Sequence, residues 1–278
     1  MNKRVCLNCL LVIVFLLSLV GCAPGDQAGA TGNEPAPAAS SQPQGNTPEA
    51  EEPAKKGGDL IIAVPANLEP ASFDGHIDPF QSTWLYDSFI SDPLLILAPN
   101  GEYQPALAER WELSEDGKSW TFYLRDDVYF QDGTPFNAEA VKYNFERVKD
   151  PALGSAQLSD DLGPIKSVEV VDEFTVRLNY DAPWATLLDG LRRMPIWSPT
   201  AADKYDKNEF DKHLVGTGPF LFTEWVANDH VTFTRWEDYG GWNPIQNHEG
   251  PVYLNSVTIR FIGEEAVLGG VVANGNAH

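Results

Sequence analysis

Cys6, Cys9 and Cys22 are the chain's three cysteines, and none lies beyond residue 22. The Cys6–Cys9 spacing is that of half a metal site. Both residues sit inside an apolar leader, however, and are expected to leave with it. The remainder has no disulfide and no thiolate nucleophile, so packing must hold it together. His76, His213, His230, His248 and His278 are scattered without ligand-like spacing, and no metal is expected. No Gly-x-Ser-x-Gly elbow presents a serine. Gly216-Thr217-Gly218-Pro219 has no lysine downstream and opens into a strand pattern, which argues against a phosphate cradle. Carboxylates are plentiful, but no spacing pairs two of them for acid–base work. No catalytic residue and no cofactor follow from these groups, and an enzyme is not expected.

The balance of charge narrows the partners. Nineteen Lys and Arg stand against 40 Asp and Glu, a net charge of −21. Such a surface repels nucleic acid phosphates, and no basic stripe offsets it. The 43% hydrophobic and 11% aromatic content argues against a wholly disordered chain.

Lys3 and Arg4 precede the run Leu10–Val20, too short for an ordinary membrane span and built like a signal segment. It ends in Leu19-Val20-Gly21-Cys22, which resembles the lipobox of bacterial lipoproteins. That resemblance implies cleavage before Cys22 and lipid on its sulfur and amine, a stable anchor because several acyl chains share one residue. Residues 23–56 hold Pro, Gly, Ala, Ser, Gln and Glu with no aromatic residue, Val or Ile. They read as a disordered linker that holds a domain off a membrane.

From residue 57 the texture changes. Asp59–Val64 reads as a buried strand stopped by Pro65, and Trp84–Ile90 as one or two helical turns. Arg110–Leu113 and Ser119–Leu124 flank a Gly117 turn as a hairpin. Val128–Phe130 reads as a short strand. Asn137 caps a helix with Phe136 and Val141 at its staple positions, and Val141, Phe145 and Val148 share one face. Ile165–Val171 and Phe174–Leu178 form a second hairpin. Pro183–Leu191 reads as a short helix with Asp181 near its cap, and Ser198-Pro199 opens another. Phe220–Val226, Val231–Trp236 and Val257–Ile262 complete the strands. The pattern is mixed α/β, neither alternating βα units nor a regular sandwich.

These segments carry longer motifs. Leu107–Arg125 (LAERWELSEDGKSWTFYLR) followed by Val128–Val141 (VYFQDGTPFNAEAV) resembles the signature of the bacterial extracellular solute-binding proteins of the peptide/nickel class, family 5. These are the oligopeptide- and dipeptide-binding components of ABC importers. Leu162–Leu178, Leu214–Phe220 and Arg235–Tyr239 agree, and the resemblance covers about residues 57–263. It implies a type II periplasmic-binding-protein-like fold with the first lobe at 57–263 and an inserted subdomain at 98–189. Family members run to about twice this length, so the second lobe is expected to be missing and 264–278 to be an aberrant or truncated tail.

The resemblance further implies a lipid-anchored, extracytoplasmic protein that captures oligopeptides or similar solutes and delivers them to permease subunits, and a monomer is expected. Its membrane contact would run through the lipid alone. The ligand cleft is sought at the mouth of the first strand, at Ala66, Asn67 and Leu68, and near Trp84 and Tyr86. The alternative is a non-transporting fragment, or a surface lipoprotein module that binds no small molecule. A peptidase ranks third.

Overall fold

The structure is a computed structural model. It describes residues 56–278 except 79, 80, 245, 247, 265, 266, 268, 271, 272, 276 and 278. Cys22, the signal segment and nearly all of the linker lie outside the described residues.

The first strand, β1 (Asp59–Pro65), ends where Pro65 brings its fixed φ, and the chain makes one 3-10 turn over Ala66–Leu68. After a loop comes α1 (Gln81–Ile90), three residues longer at its start than its apolar pattern predicts. A small ladder of β2 (Leu95–Leu97) and β3 (Tyr103–Pro105) follows, turning at Gly101 with φ 84°. The predicted hairpin is β4 (Ala108–Leu113) and β5 (Ser119–Leu124), with Gly117 at φ 70°, where a side chain would be strained.

Val128–Phe130 is not a strand. A tight turn closes at once, Phe130 N–H donating to Thr134 O at 2.8 Å, and leaves only an isolated Tyr129–Pro135 bridge. The capped helix is α2 (Ala138–Lys149), where Ala140 N–H donates to Asn137 Oδ1 at 3.0 Å. A further helix, α3 (Ala156–Leu162), has no sequence signal strong enough to foresee it. The second hairpin is β6 (Ile165–Asp172) and β7 (Thr175–Tyr180). Asp181 caps nothing. It pairs with Lys166 at 2.7 Å, and α4 begins only at Leu187 (Leu187–Leu191). Ser198 caps α5 (Pro199–Lys204), and a 3-10 turn follows at Phe210–Lys212. The last strands are β8 (Phe220–Val226), β9 (His230–Arg235) and β10 (Ser256–Ile262).

Among the described residues the strands form two open four-stranded sheets beside the β2-β3 ladder. One runs β1-β10-β9-β8, with β1 parallel to β10 and the rest antiparallel. The other is the antiparallel β4-β5-β7-β6. In the first, Val257, Ile259 and Phe261 of β10 alternate inward and meet Phe233 and Val231 of β9. That side of the molecule buries Phe73, Tyr86, Ile90 and Trp197 with them. Under the second sheet, Phe122, Val176 and Leu178 pack with Val141, Phe145 and Val148 of α2. Gln131 joins the two regions. Its Nε2 donates to the carbonyls of Ile90, Gly218 and Phe220 at 3.2, 3.0 and 2.7 Å.

Candidate binding groove

A groove of about 580 Å³ opens at the end of β1. Trp84 to Ser88 of α1 line it together with Ser91, just past the end of that helix. Leu68, Leu85 and Leu97 stand at its rim with 40%, 58% and 42% of their surface exposed. Arg192, Arg193, Met194 and Pro195 supply the facing wall, and Asn243 also reaches the groove. An apolar concavity with a few polar groups is the usual form of a small-molecule site.

The five residues singled out from sequence are distributed unequally. Leu68, Trp84 and Tyr86 line the groove. Tyr86 is almost wholly buried, its hydroxyl donating to Leu68 O at 3.0 Å, and burial pushes that hydroxyl up to about 12. It ties the 3-10 turn after β1 to α1. Ala66 packs half-buried against the core, and Asn67 is exposed on the 3-10 turn.

The sequence reading did not single out the two arginines. The signal available was an adjacent basic pair in an acidic chain. Arg193 is held on both sides, by Asp189 Oδ2 at 3.0 Å and Asp161 Oδ2 at 3.2 Å. Arg192 gives its Nε to Asp189 Oδ1 at 2.6 Å, and its guanidinium carbon lies 5.0 Å from the Trp84 ring centre. Its two terminal amines have no hydrogen bond among the described residues. A stacked guanidinium with an open fork is suited to a carboxylate.

Behind the wall the packing turns polar. Arg147 binds Asp74 through Nη1 and Nη2 at 3.2 and 2.6 Å, and its Nη1 lies 2.8 Å from His76 Nδ1. Arginine has only donors, so Nδ1 is the acceptor and the imidazole proton sits on Nε2. That Nε2–H donates to Pro195 O at 2.9 Å. Burial, opposed by Asp74 and aided by Arg147, lowers the His76 pKa to about 4, so the ring is neutral.

Asp87 is buried, and neither carboxylate oxygen is hydrogen-bonded among the described residues. Burial first, then Asp74 and Asp78, raise its pKa well above the carboxylate range. Asp92 is buried too, and accepts from Asn243 Nδ2 at 2.6 Å, Trp242 Nε1 at 2.8 Å and Tyr239 Oη at 3.3 Å. Desolvation outweighs these bonds and pushes its carboxyl up to about 6. Among the described residues no cluster of three His, Cys, Asp or Glu could hold a metal ion.

One mixed and one antiparallel open sheet, flanked by helices and matching solved structures of that class, place the fold among the type II periplasmic binding proteins. The chain belongs to the bacterial extracellular solute-binding proteins, family 5, whose model (its middle region) matches residues 102–278. That family is one of binding proteins, not enzymes. The chain is similar to the glutathione-binding protein GsiB of Shigella flexneri, 30% identical over 227 residues, covering 79% of this chain and 41% of that protein. It is 28% identical over 242 residues to the dipeptide-binding protein DppE of Bacillus subtilis, covering 80% and 41%. Its structure resembles the periplasmic binding protein DppA of Helicobacter pylori in complex with the peptide STSA, with a TM-score of 0.68 and 28% identity, covering 80% and 46%. The chain thus spans about two fifths of the length of the curated relatives it matches.

Proposed function

We propose that the protein captures a peptide, or a similar small solute with a carboxylate, outside the cytoplasmic membrane. It then hands the solute to the permease of an ABC importer. The observation that carries this is Arg192, set over the Trp84 ring in an apolar groove with its terminal amines unengaged among the described residues. The relatives' ligands agree in kind, since glutathione, dipeptides and STSA are named for them. No bond is made or broken. Capture would proceed by closure of the lobe formed by 57–263, with 98–189 as its inserted subdomain, on a second lobe. Lipid on Cys22 would keep the protein at the membrane, and 23–56 would give it reach.

Calorimetric titration of the whole protein with STSA and with its C-terminal amide tests the reading. The free acid should bind at least tenfold more tightly, and Arg192→Gln should erase the difference. Absence of binding to both peptides sinks the proposal. Labelled palmitate should enter the wild type and not Cys22→Ser, and equal labelling of the two would refute the anchor.

A further inference from the structure

His76 does not line the groove and is 1% exposed. We propose that it is a positioning residue for the groove: it fixes the 192–195 wall, and through it the carboxylate-receiving arm of Arg192. The inference rests on the reading of the groove given above.

The chain between α4 and α5 has no strand or helix of its own to fix it. Trp197 is fixed by Asn144, which accepts from its N–H at 2.9 Å and donates to its carbonyl at 2.8 Å. Ile196 is fixed by the Ser91 hydroxyl, at 2.8 Å from its N–H and 3.0 Å from its carbonyl. Pro195 has no N–H, so its carbonyl is the one backbone group that can tether it. His76 Nε2 is that tether. Arg192, Arg193 and Met194 are tied back to α4, their N–H groups donating to Leu188, Gly190 and Leu191 carbonyls at 3.3, 3.1 and 3.2 Å, so the bond at Pro195 is the first backbone tether that holds this stretch to a different segment.

The tether is only as good as its own footing, and His76 stands on both sides. Arg147, clamped by Asp74, fixes the ring's tautomer and leaves no second orientation that satisfies both nitrogens. The backbone beneath the ring is equally constrained. A Cβ at Gly75 would lie 1.8 Å from Asp87 Oδ2 and 3.1 Å from Pro195 Cγ, so the 74–78 loop already lies against both α1 and the wall. The loop is a strut between the two sides of the groove. Its imidazole stays neutral throughout the ordinary pH range, so the strut does not change with pH there.

Two substitutions separate the two hydrogen bonds. His76→Asn leaves an acceptor for Arg147 and is too short to reach Pro195. His76→Gln reaches Pro195 with its amide Nε2. With the STSA acid and amide pair as probes, His76→Asn should weaken the acid about tenfold and leave the amide within twofold. His76→Gln should restore most of the acid's advantage. Combined with Arg192→Gln, His76→Asn should add nothing. If His76→Asn weakens acid and amide equally or leaves the acid unchanged, while the wild type still tells the two apart, the positioning role is overturned and the groove reading stands. If the wild type does not tell them apart, the groove reading itself falls, and this inference with it. An independent check needs no variant or ligand. Nitrogen NMR of the wild-type imidazole at neutral pH should show a proton on Nε2 alone, and a proton on Nδ1 would overturn the proposal.

Discussion

Helix α2 has two working faces, and they belong to different kinds of interior. Val141, Phe145 and Val148 enter the apolar layer under the β4-β5-β7-β6 sheet. Asn144 and Arg147 reach the other way, toward Trp197, Asp74 and His76. The first interior is held by area and shape. The second lies behind the groove, where Asp74, His76, Asp78, Thr83, Asp87, Ser91 and Asp92 are all buried between residues 74 and 92. The groove is walled partly by loops, and loops carry no ladder of backbone bonds. Apolar contact alone is non-directional and tolerates small slides. A buried hydrogen-bonded charge tolerates far fewer arrangements, at the risk of a large penalty if one partner is lost. The comparison therefore predicts that the polar interior fixes loop geometry while the apolar one supplies bulk stability.

The largest test sets the two faces of α2 against each other. Phe145→Ala should cost about 3–5 kcal/mol through lost contact and a cavity. Arg147→Met should cost about as much, roughly 3–5 kcal/mol, because it strands Asp74 without its counter-ion. Their rescue should differ. Adding Asp74→Asn to Arg147→Met removes the stranded charge and should recover part of the loss in urea unfolding, whereas the same change beside Phe145→Ala should recover nothing. Equal behaviour of the two pairs would erase the distinction between the interiors.

Next in size is a pH effect confined to the polar side. Asp92 has its folded pKa raised to about 6, from an ordinary value of 3.8. A raised folded pKa means the folded state holds its proton more tightly. The stability this contributes is present below the ordinary value and is lost as pH rises through about 6. The loss should be about 3 kcal/mol. Asp87, raised well above the ordinary value, carries the same sign to higher pH. Unfolding free energies measured from pH 3 to pH 8 should fall less steeply in Asp92→Asn than in the wild type, whatever the variant's absolute stability. Parallel curves would mean that Asp92 does not hold its proton in the fold.

A steric test is smaller. Gly75→Ala would drive a methyl into Asp87 Oδ2, and overpacking of this kind costs about 1–3 kcal/mol. Asp87→Ala should make room, so the double variant should lie close to Asp87→Ala alone. Simple addition of the two costs would show that the 74–78 loop is not braced against Asp87.

The two interiors were also unequally legible. β1, the two hairpins and α2 follow from local signals: an apolar run stopped by Pro65, Gly117 in a turn, and Asn137 before a periodic face. Val128–Phe130 misled because its alternation is real, but the turn after it closes too soon for a ladder. α3 leaves little trace in the sequence, since Ser155 makes no capping hydrogen bond and only Leu158 and Leu162 are buried. The polar interior could not be read at all. His76, Arg147 and Pro195 come from three distant segments, and nothing in the spacing of any one of them names the other two. Where to look for the groove came with the family resemblance. Arg192 gave only its local signal, a basic pair in an acidic chain, and its stacking on Trp84 exists only in three dimensions.

The same local device on both sides of the divide gives the smallest and most discriminating test. Asn137 caps α2, accepting from Ala140 N–H at 3.0 Å, and its replacement by Ala should cost about 1 kcal/mol, the ordinary value of such a cap. Ser198 caps α5 by accepting from Ala201 N–H at 3.3 Å, a longer bond that would by itself be worth less. Yet Ser198 is wholly buried beside Trp197, and its hydroxyl also donates to Asp132 Oδ2 at 2.6 Å. If directional bonds hold the groove side, Ser198→Ala should lie toward the upper end for caps, about 2 kcal/mol, despite the poorer geometry. A cost at or below that of Asn137→Ala in the same urea series would mean that these loops are held by packing, as the rest of the molecule is.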